Sequence, residues 1–175
     1  MAKQPTRARE DVVVVAPDGI AVHPIALPGL GELTLAEGRL PPGEYGVHLH
    51  RSLEQVTYVL EGRLVATMGD PATGATTEVA CGPGDAVCTS PLTTLSYRNP
   101  GPGQARVLFI CAPPYPADDA DTATLDRHRA LAPGEVRAAL DRQRAVRAER
   151  DARRAAGIER LEQLARLLAQ TEGRQ

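Results

Sequence analysis

Long apolar runs, cysteine pairs and an imbalance of charge are all missing from this chain of 175 residues. The longest purely apolar run, Val107 to Ala112, falls far short of the ~20 residues that span a bilayer. Near the start, MAKQPTRAREDVVVVAPDG offers only four consecutive valines, fewer than the roughly 7–15 residues of a secretory apolar segment. Three cysteines (Cys81, Cys88 and Cys111) with no C-x-x-C pair exclude a disulfide framework and a zinc ribbon. These absences predict a cytoplasmic, thiol-reduced protein outside the membrane. A formal net charge of −2 gives no basic field, so nucleic acid is not expected as a partner. Nineteen arginines stand against a single lysine, Lys3; that compositional bias leaves the arginine-rich tail with little functional weight.

What the chain has is turn chemistry at nearly regular spacing. Pro-Asp-Gly (17–19), Leu-Pro-Pro-Gly (40–43), Glu-Gly (61–62), Gly-Asp-Pro-Ala-Thr-Gly (69–74), Gly-Pro-Gly-Asp (82–85) and Asn-Pro-Gly-Pro-Gly (99–103) punctuate the first two thirds. Between them, short runs rich in Val, Thr, Leu and Tyr predict ten strands: 12–15, 20–23, 31–37, 47–50, 55–60, 63–68, 76–80, 86–89, 94–98 and 106–111. That rhythm predicts an all-β jelly-roll barrel or sandwich. Pro113-Pro114-Tyr115-Pro116 ends it, because proline cannot donate to a ladder. The expected organisation is an N-terminal lead of 1–11, a barrel of 12–116, a surface-wrapping segment of 117–132 and a C-terminal α-helix of 133–172. Pro133 suits a first helical position. Ile158, Leu161, Ala165 and Leu168 recur at helical spacing, predicting a face that packs on the barrel or on a second subunit.

His48-Leu49-His50 lies on a predicted strand, so both imidazoles share one face, with their Cα atoms about 7 Å apart. Gln55 follows five residues later and Gly62 closes the next turn. Two imidazoles and a third inward donor could hold a metal ion, bind an organic ligand, or act as general acid and base. Thr57, Val59, Leu95 and Tyr97 alternate onto the same inward faces and are expected to line a cavity with Cys88. Tyr97 is a candidate proton donor. His23 is read as a strand-edge residue, His128 as a surface residue, and Arg51 as an exposed arginine near the cavity mouth.

Here the sequence resembles the cupins. Their first motif reads G-x-x-x-x-x-H-x-H, three or four residues, E, six residues, G; this chain offers Gly43, His48, His50, Gln55 and Gly62. Gly43 stands one residue closer than usual, and Gln55 rather than Glu54 occupies the carboxylate slot. Gly82-Pro83-Gly84-Asp85 and Asn99-Pro100-Gly101 match the two ends of the second motif, with Leu95 where the family keeps a third histidine. The resemblance implies a cupin jelly roll over about 12–114, a small-molecule substrate and a homodimer. It also implies a divalent metal (Fe, Mn, Zn or Ni) on His48, His50 and Gln55, supporting cyclase, isomerase or oxygenase chemistry. Leu95 argues for the alternatives: a metal-free isomerase, dehydratase or cyclase using His48, His50 and Tyr97, or a metabolite-binding protein without catalysis.

Overall fold

The computed structural model describes residues 11–27, 31–116 and 119–172. Twelve strands run in chain order: β1 (Val14–Val15), β2 (Ala21–Ile25), β3 (Thr34–Leu40), β4 (Gly43–Glu44), β5 (Val47–His50) and β6 (Glu54–Glu61). They continue with β7 (Leu64–Gly69), β8 (Thr76–Cys81), β9 (Ala86–Thr89), β10 (Thr94–Asn99), β11 (Ala105–Ala112) and β12 (Thr122–Leu125). One helix, α1 (Pro133–Glu172), follows. The strands form two antiparallel sheets ordered β1-β2-β3-β11-β6-β9 and β12-β5-β10-β7-β8, with β4 also pairing to β10. Their inward faces enclose one core built around Leu40, Val59, Leu64, Leu95 and Val107.

Alternation decides which residues enter that core. On β11, Ala105, Val107, Phe109 and Cys111 point in while the residues between them are half-buried. On β6 the inward set is Gln55, Thr57 and Val59, whereas Glu54 is exposed. The motif residues at the turns close the backbone. Asp85 accepts the Gly82 amide at 2.9 Å, and Asn99 donates to the carbonyls of Leu40 and Gly103 at 2.7 and 2.8 Å. Gly62 has a φ of 82°, and a Cβ there would meet the Ala105 backbone at 2.8 Å, so the β6–β7 turn requires glycine.

Two strands lie outside the ten predicted. The two-residue β4 is held by β10 through Arg98↔Glu44 and Asn99↔Gly43. In the segment expected only to wrap the surface, Thr122–Leu125 pairs with Val47–His50 and completes the second sheet. Beyond it, His128 differs from the expected surface residue. It is half-buried, with Nδ1 2.8 Å from Thr94 Oγ1 and Nε2 2.9 Å from Ser96 Oγ. Gly69 beside it leaves room: a Cβ there would stand 3.0 Å from His128 Nδ1.

Helix α1 begins with Glu135 reaching back to the Ala132 amide at 2.7 Å, which satisfies one of the free donors of the first turn. Arg129 grips the same carboxylate with two bonds of 2.8 Å. Its guanidinium, helped by the Ala132 amide, holds the Glu135 carboxyl down at about 2. The proximal helix packs on the barrel: Ala139 is fully buried and Gln143 donates to the Arg51 carbonyl at 3.0 Å. Arg150 adds a 2.7 Å ion pair with Glu32. From 151 to 170 every residue is exposed, and Ile158, Leu161 and Leu164 are not covered by the described residues of the barrel. Among the described residues, no helix is long and apolar enough to cross a membrane.

Candidate active site

A cavity of about 740 Å³ opens between the sheets, with His48, His50, Gln55, Tyr97, Asp18 and Thr122 among its lining residues. The first two come from β5, whose alternation turns both rings inward; their centroids are 5.3 Å apart and nearly perpendicular, at 71°. Gln55 enters from β6 and Tyr97 from β10. Each is more than nine-tenths buried.

The two histidines are wired differently. His50 Nε2 stands 3.2 Å from Gln55 Oε1, and an amide oxygen can only accept, so this nitrogen carries the proton. His50 Nδ1 is then the acceptor, 3.4 Å from the Thr122 hydroxyl, which is itself bonded to Tyr115 OH. Both ring nitrogens of His50 are thus engaged. His48 Nδ1 has the Asp18 carboxylate at 3.2 Å, close enough for charge attraction but off the line of a hydrogen bond. The negative charge favours the proton on Nδ1, which leaves the Nε2 lone pair bare.

Gln55 links the histidines to the phenol. Its Oε1 accepts from His50 and, at 3.6 Å, from Cys111 Sγ. Its Nε2 donates to Tyr97 OH at 3.1 Å and lies 3.4 Å from Thr57 Oγ1. Tyr97 OH and Thr57 Oγ1 are 2.5 Å apart. A carboxylate in this slot could only accept, whereas the amide accepts at one end and donates at the other.

Burial keeps the bases neutral. Desolvation, then the neighbouring His48, lowers the His50 imidazole from 6.5 to about 3. Desolvation also lowers His48, with Asp18 acting in the opposite sense. Tyr97 is pushed well above its ordinary value by burial, with the bonds from Thr57 and Gln55 partly offsetting this. Burial, then the Asp121 charge, raises the Cys111 thiol to about 12, so it is a packed thiol rather than a nucleophile.

Of the residues predicted to line the cavity, Cys88 needs correction. It is exposed, because on β9 the inward positions are Val87 and Thr89. Val59 and Leu95 do face inward, but both sit in the packed core and neither is in the cavity wall. Thr57 lies beneath Tyr97, 1% exposed. His23 is buried yet alternates away from Val22 and Pro24, which line the cavity. Arg51 serves the backbone of the 3-10 turn Asp119–Asp121, donating to the Ala120 carbonyl at 2.6 Å and, through its amide, to the Asp121 carbonyl at 2.8 Å.

Two carboxylates of the site escaped sequence reasoning. Asp18 was read as part of a Pro-Asp-Gly turn; its Oδ1 does accept the Ile20 amide at 3.2 Å, while Oδ2 addresses His48. Fully buried Asp121 lies in the segment expected to wrap the surface. Ser52 donates to its Oδ1, Arg142 Nε stands 3.9 Å away, and its Oδ2 lies 3.6 Å from His50 Nδ1. Neither contact leaves a local signal, since the partners are 30 and 71 positions apart in the chain.

Residues 36–111 match the family described as "Cupin domain". These residues form a cupin domain. Its barrel is similar to that of the Streptomyces protein PAC13, solved with uridine, at 17% identity and TM-score 0.55 over 75% of this chain and 95% of that one. Another structure of Pac13 describes it as a nucleoside dehydratase, at 16% identity and TM-score 0.55 over 75% of this chain and 95% of that one. Oxalate decarboxylase from Bacillus subtilis is similar at 19% identity and TM-score 0.58, over 71% of this chain and 33% of that one. None of the curated proteins matches the sequence.

The donor set of this cupin does not suit the metal that the family resemblance implies. A stable first-row site normally draws on three or four protein ligands, imidazole or anionic. Here Leu95, opposite His48 across β10, supplies none, and His50 Nε2 is occupied by Gln55. Among the described residues, no three His, Cys, Asp or Glu side chains converge as a metal-holding group.

Proposed function

We propose that this cupin is a metal-independent acid–base enzyme, an isomerase, dehydratase or cyclase acting on a small organic metabolite. The observation that carries the reading is the unequal wiring of the two histidines. His50 has both nitrogens committed, to Gln55 and Thr122. His48 has the Asp18 carboxylate 3.2 Å from Nδ1, lines the cavity, and has no side-chain hydrogen bond on Nε2 among the described residues. That is the arrangement of a positioned general base beside a structural neighbour. Tyr97, its ring centroid 6.5 Å from that of His48, keeps its proton because of burial and serves as the acid.

In a dehydration, His48 Nε2 removes a proton from carbon beside a carbonyl. The C–H electron pair becomes a C=C bond, the β C–O bond breaks, and the hydroxyl leaves as water with the Tyr97 proton. Proton return from His48 to Tyr97 through the released water restores both groups. Isomerisation uses the same base, with the proton delivered to a different carbon. The dehydratase description of Pac13 is compatible with this chemistry on the same kind of barrel.

The test follows hydrogen exchange in D2O by NMR, with chelator-treated protein and a panel of neutral cyclic ketones and β-hydroxy ketones. We expect exchange or water loss above the buffer rate, unchanged by the chelator and reduced about 100-fold in His48→Gln. Activity that vanishes on chelation and returns with about one bound equivalent of a divalent ion would overturn the reading. Failure of every panel member to exchange or dehydrate would count against it as well.

A further inference from the structure

The acid–base floor occupies only one end of the cavity. The rest of the wall is hydrocarbon: Val14, Val22, Ile25, Leu33, Leu35 and Phe109. Among the described residues that line it there is no arginine or lysine, so no fixed cation is available to receive a carboxylate or phosphate. The charge at the floor has the opposite sign, since Asp18 lines it and Asp121 stands 3.6 Å behind His50. An anion would enter a negative field without compensation, which is costly in a desolvated pocket. An ammonium would have to compete with His48 for Asp18. Asp18 Oδ1 is taken by the Ile20 amide and Oδ2 faces His48 at 3.2 Å without a hydrogen bond, while Asp121, held by Ser52 through Oδ1, stands behind His50 and outside the lining.

The polar groups that remain are matched to uncharged hydrogen-bonding heads. His48 Nε2 accepts, the Thr122 hydroxyl, its proton given to His50 Nδ1, accepts as well, and the Tyr97 hydroxyl can donate or accept. Beyond the floor residues, the described wall carries a phenyl ring (Phe109), a phenol (Tyr115), the Thr34 hydroxyl and the Cys111 thiol among mostly aliphatic side chains. It offers burial along its length rather than polar contacts for a sugar or base.

We infer that the cavity takes an uncharged molecule with an apolar body and one hydroxyl or carbonyl head, seated head-down against His48, Tyr97 and Thr122. This deepens the acid–base reading and rests on it for the direction of the head. It sets this chain apart in ligand class from its fold neighbours, which carry the names of an oxalate decarboxylase and a nucleoside dehydratase.

The test is direct binding to the full chain by calorimetry at neutral pH, using para-propylphenol, para-propylbenzoate, para-propylbenzylamine and uridine. Para-propylphenol should bind at least about tenfold more tightly than each of the other three. Ile25→Asn in the wall should weaken it about tenfold, with circular dichroism confirming the fold; Val22→Ala provides a milder second variant that should weaken it in the same direction. Equal or tighter binding of the benzoate, the amine or uridine would overturn the inference, as would failure of para-propylphenol to bind. So would indifference of both wall variants. If the ranking holds while no ketone exchanges hydrogen, the acid–base reading fails and the ligand class stands. If exchange is found but a carboxylate is the preferred ligand, the class fails alone.

Discussion

Two sides of one cavity floor, two residues apart on a four-residue strand, are built to opposite ends. On the Gln55 side, His50 is enclosed: an acceptor faces one nitrogen, a hydroxyl faces the other, and Tyr115 packs edge-on at 5.8 Å. On the Asp18 side, His48 has a carboxylate 3.2 Å behind Nδ1 and no side-chain hydrogen bond on Nε2 among the described residues. Identical side chains therefore acquire different work from their surroundings. A ring with both nitrogens satisfied positions its neighbours, and a ring with one nitrogen open to a cavity can move a proton. The lesson extends to Gln55, which replaces a ligand in the family pattern yet joins His50 to Tyr97 through its two unlike ends.

The comparison can be broken at several points. The largest expected effect is on rate: His48→Gln should cut turnover about 100-fold while leaving the thermal midpoint near that of the parent, whereas His50→Gln should lose stability as well as activity. Next comes pH. The folded-state value of His50 is lowered from 6.5 to about 3, so the unfolded chain binds a proton that the folded chain refuses. Its contribution is fully present above about pH 6.5 and lost as pH falls, by about 1.4 kcal/mol per unit. His48 acts in the same sense. Denaturant unfolding between about pH 7 and about pH 5 should show this decline, with a shallower slope in His50→Asn.

Gln55→Glu removes the donor to Tyr97 and adds a charge beside His50. It should cost about 1–3 kcal/mol in unfolding free energy at neutral pH and shorten the decline, which ends at a higher pH because the new carboxylate favours His50 protonation. His128→Ala deletes two bonds on the outer face of β10 and should cost about 1–2 kcal/mol, with turnover unchanged. The smallest effect belongs to the distal helix. Leu161 is 66% exposed, so Leu161→Gln should alter barrel stability by less than about 0.5 kcal/mol in dilute protein.

Much of the barrel was legible because its strands alternate and its turns use glycine, proline, asparagine and aspartate. The strands that escaped notice are those without alternation of their own. β4 has two residues, and β12 is an edge strand defined by its partner β5. Period two also turns His48, His50, Gln55 and Tyr97 inward, and the two sheets bring them to one cavity. It misled at Cys88, which pairs with Val56 on the outward face of an edge strand; apolar character alone could not say which side was in. Asp18 and Asp121 were invisible for another reason: a carboxylate in a turn looks the same whether it faces water or a buried imidazole. The apolar stretches flanking the first turn gave no warning that they form the wall of a ligand cavity.

The unequal wiring of the histidines is tested most directly by the nitrogen-15 NMR spectrum of the imidazoles in the chelator-treated chain at neutral pH. Two neutral rings in opposite tautomers are expected, His48 protonated on Nδ1 and His50 on Nε2. The His48 signals should be assigned through their loss in His48→Gln. A shared tautomer, a protonated His48, or joint displacement of both Nε2 signals by a stoichiometric divalent ion would contradict the unequal wiring.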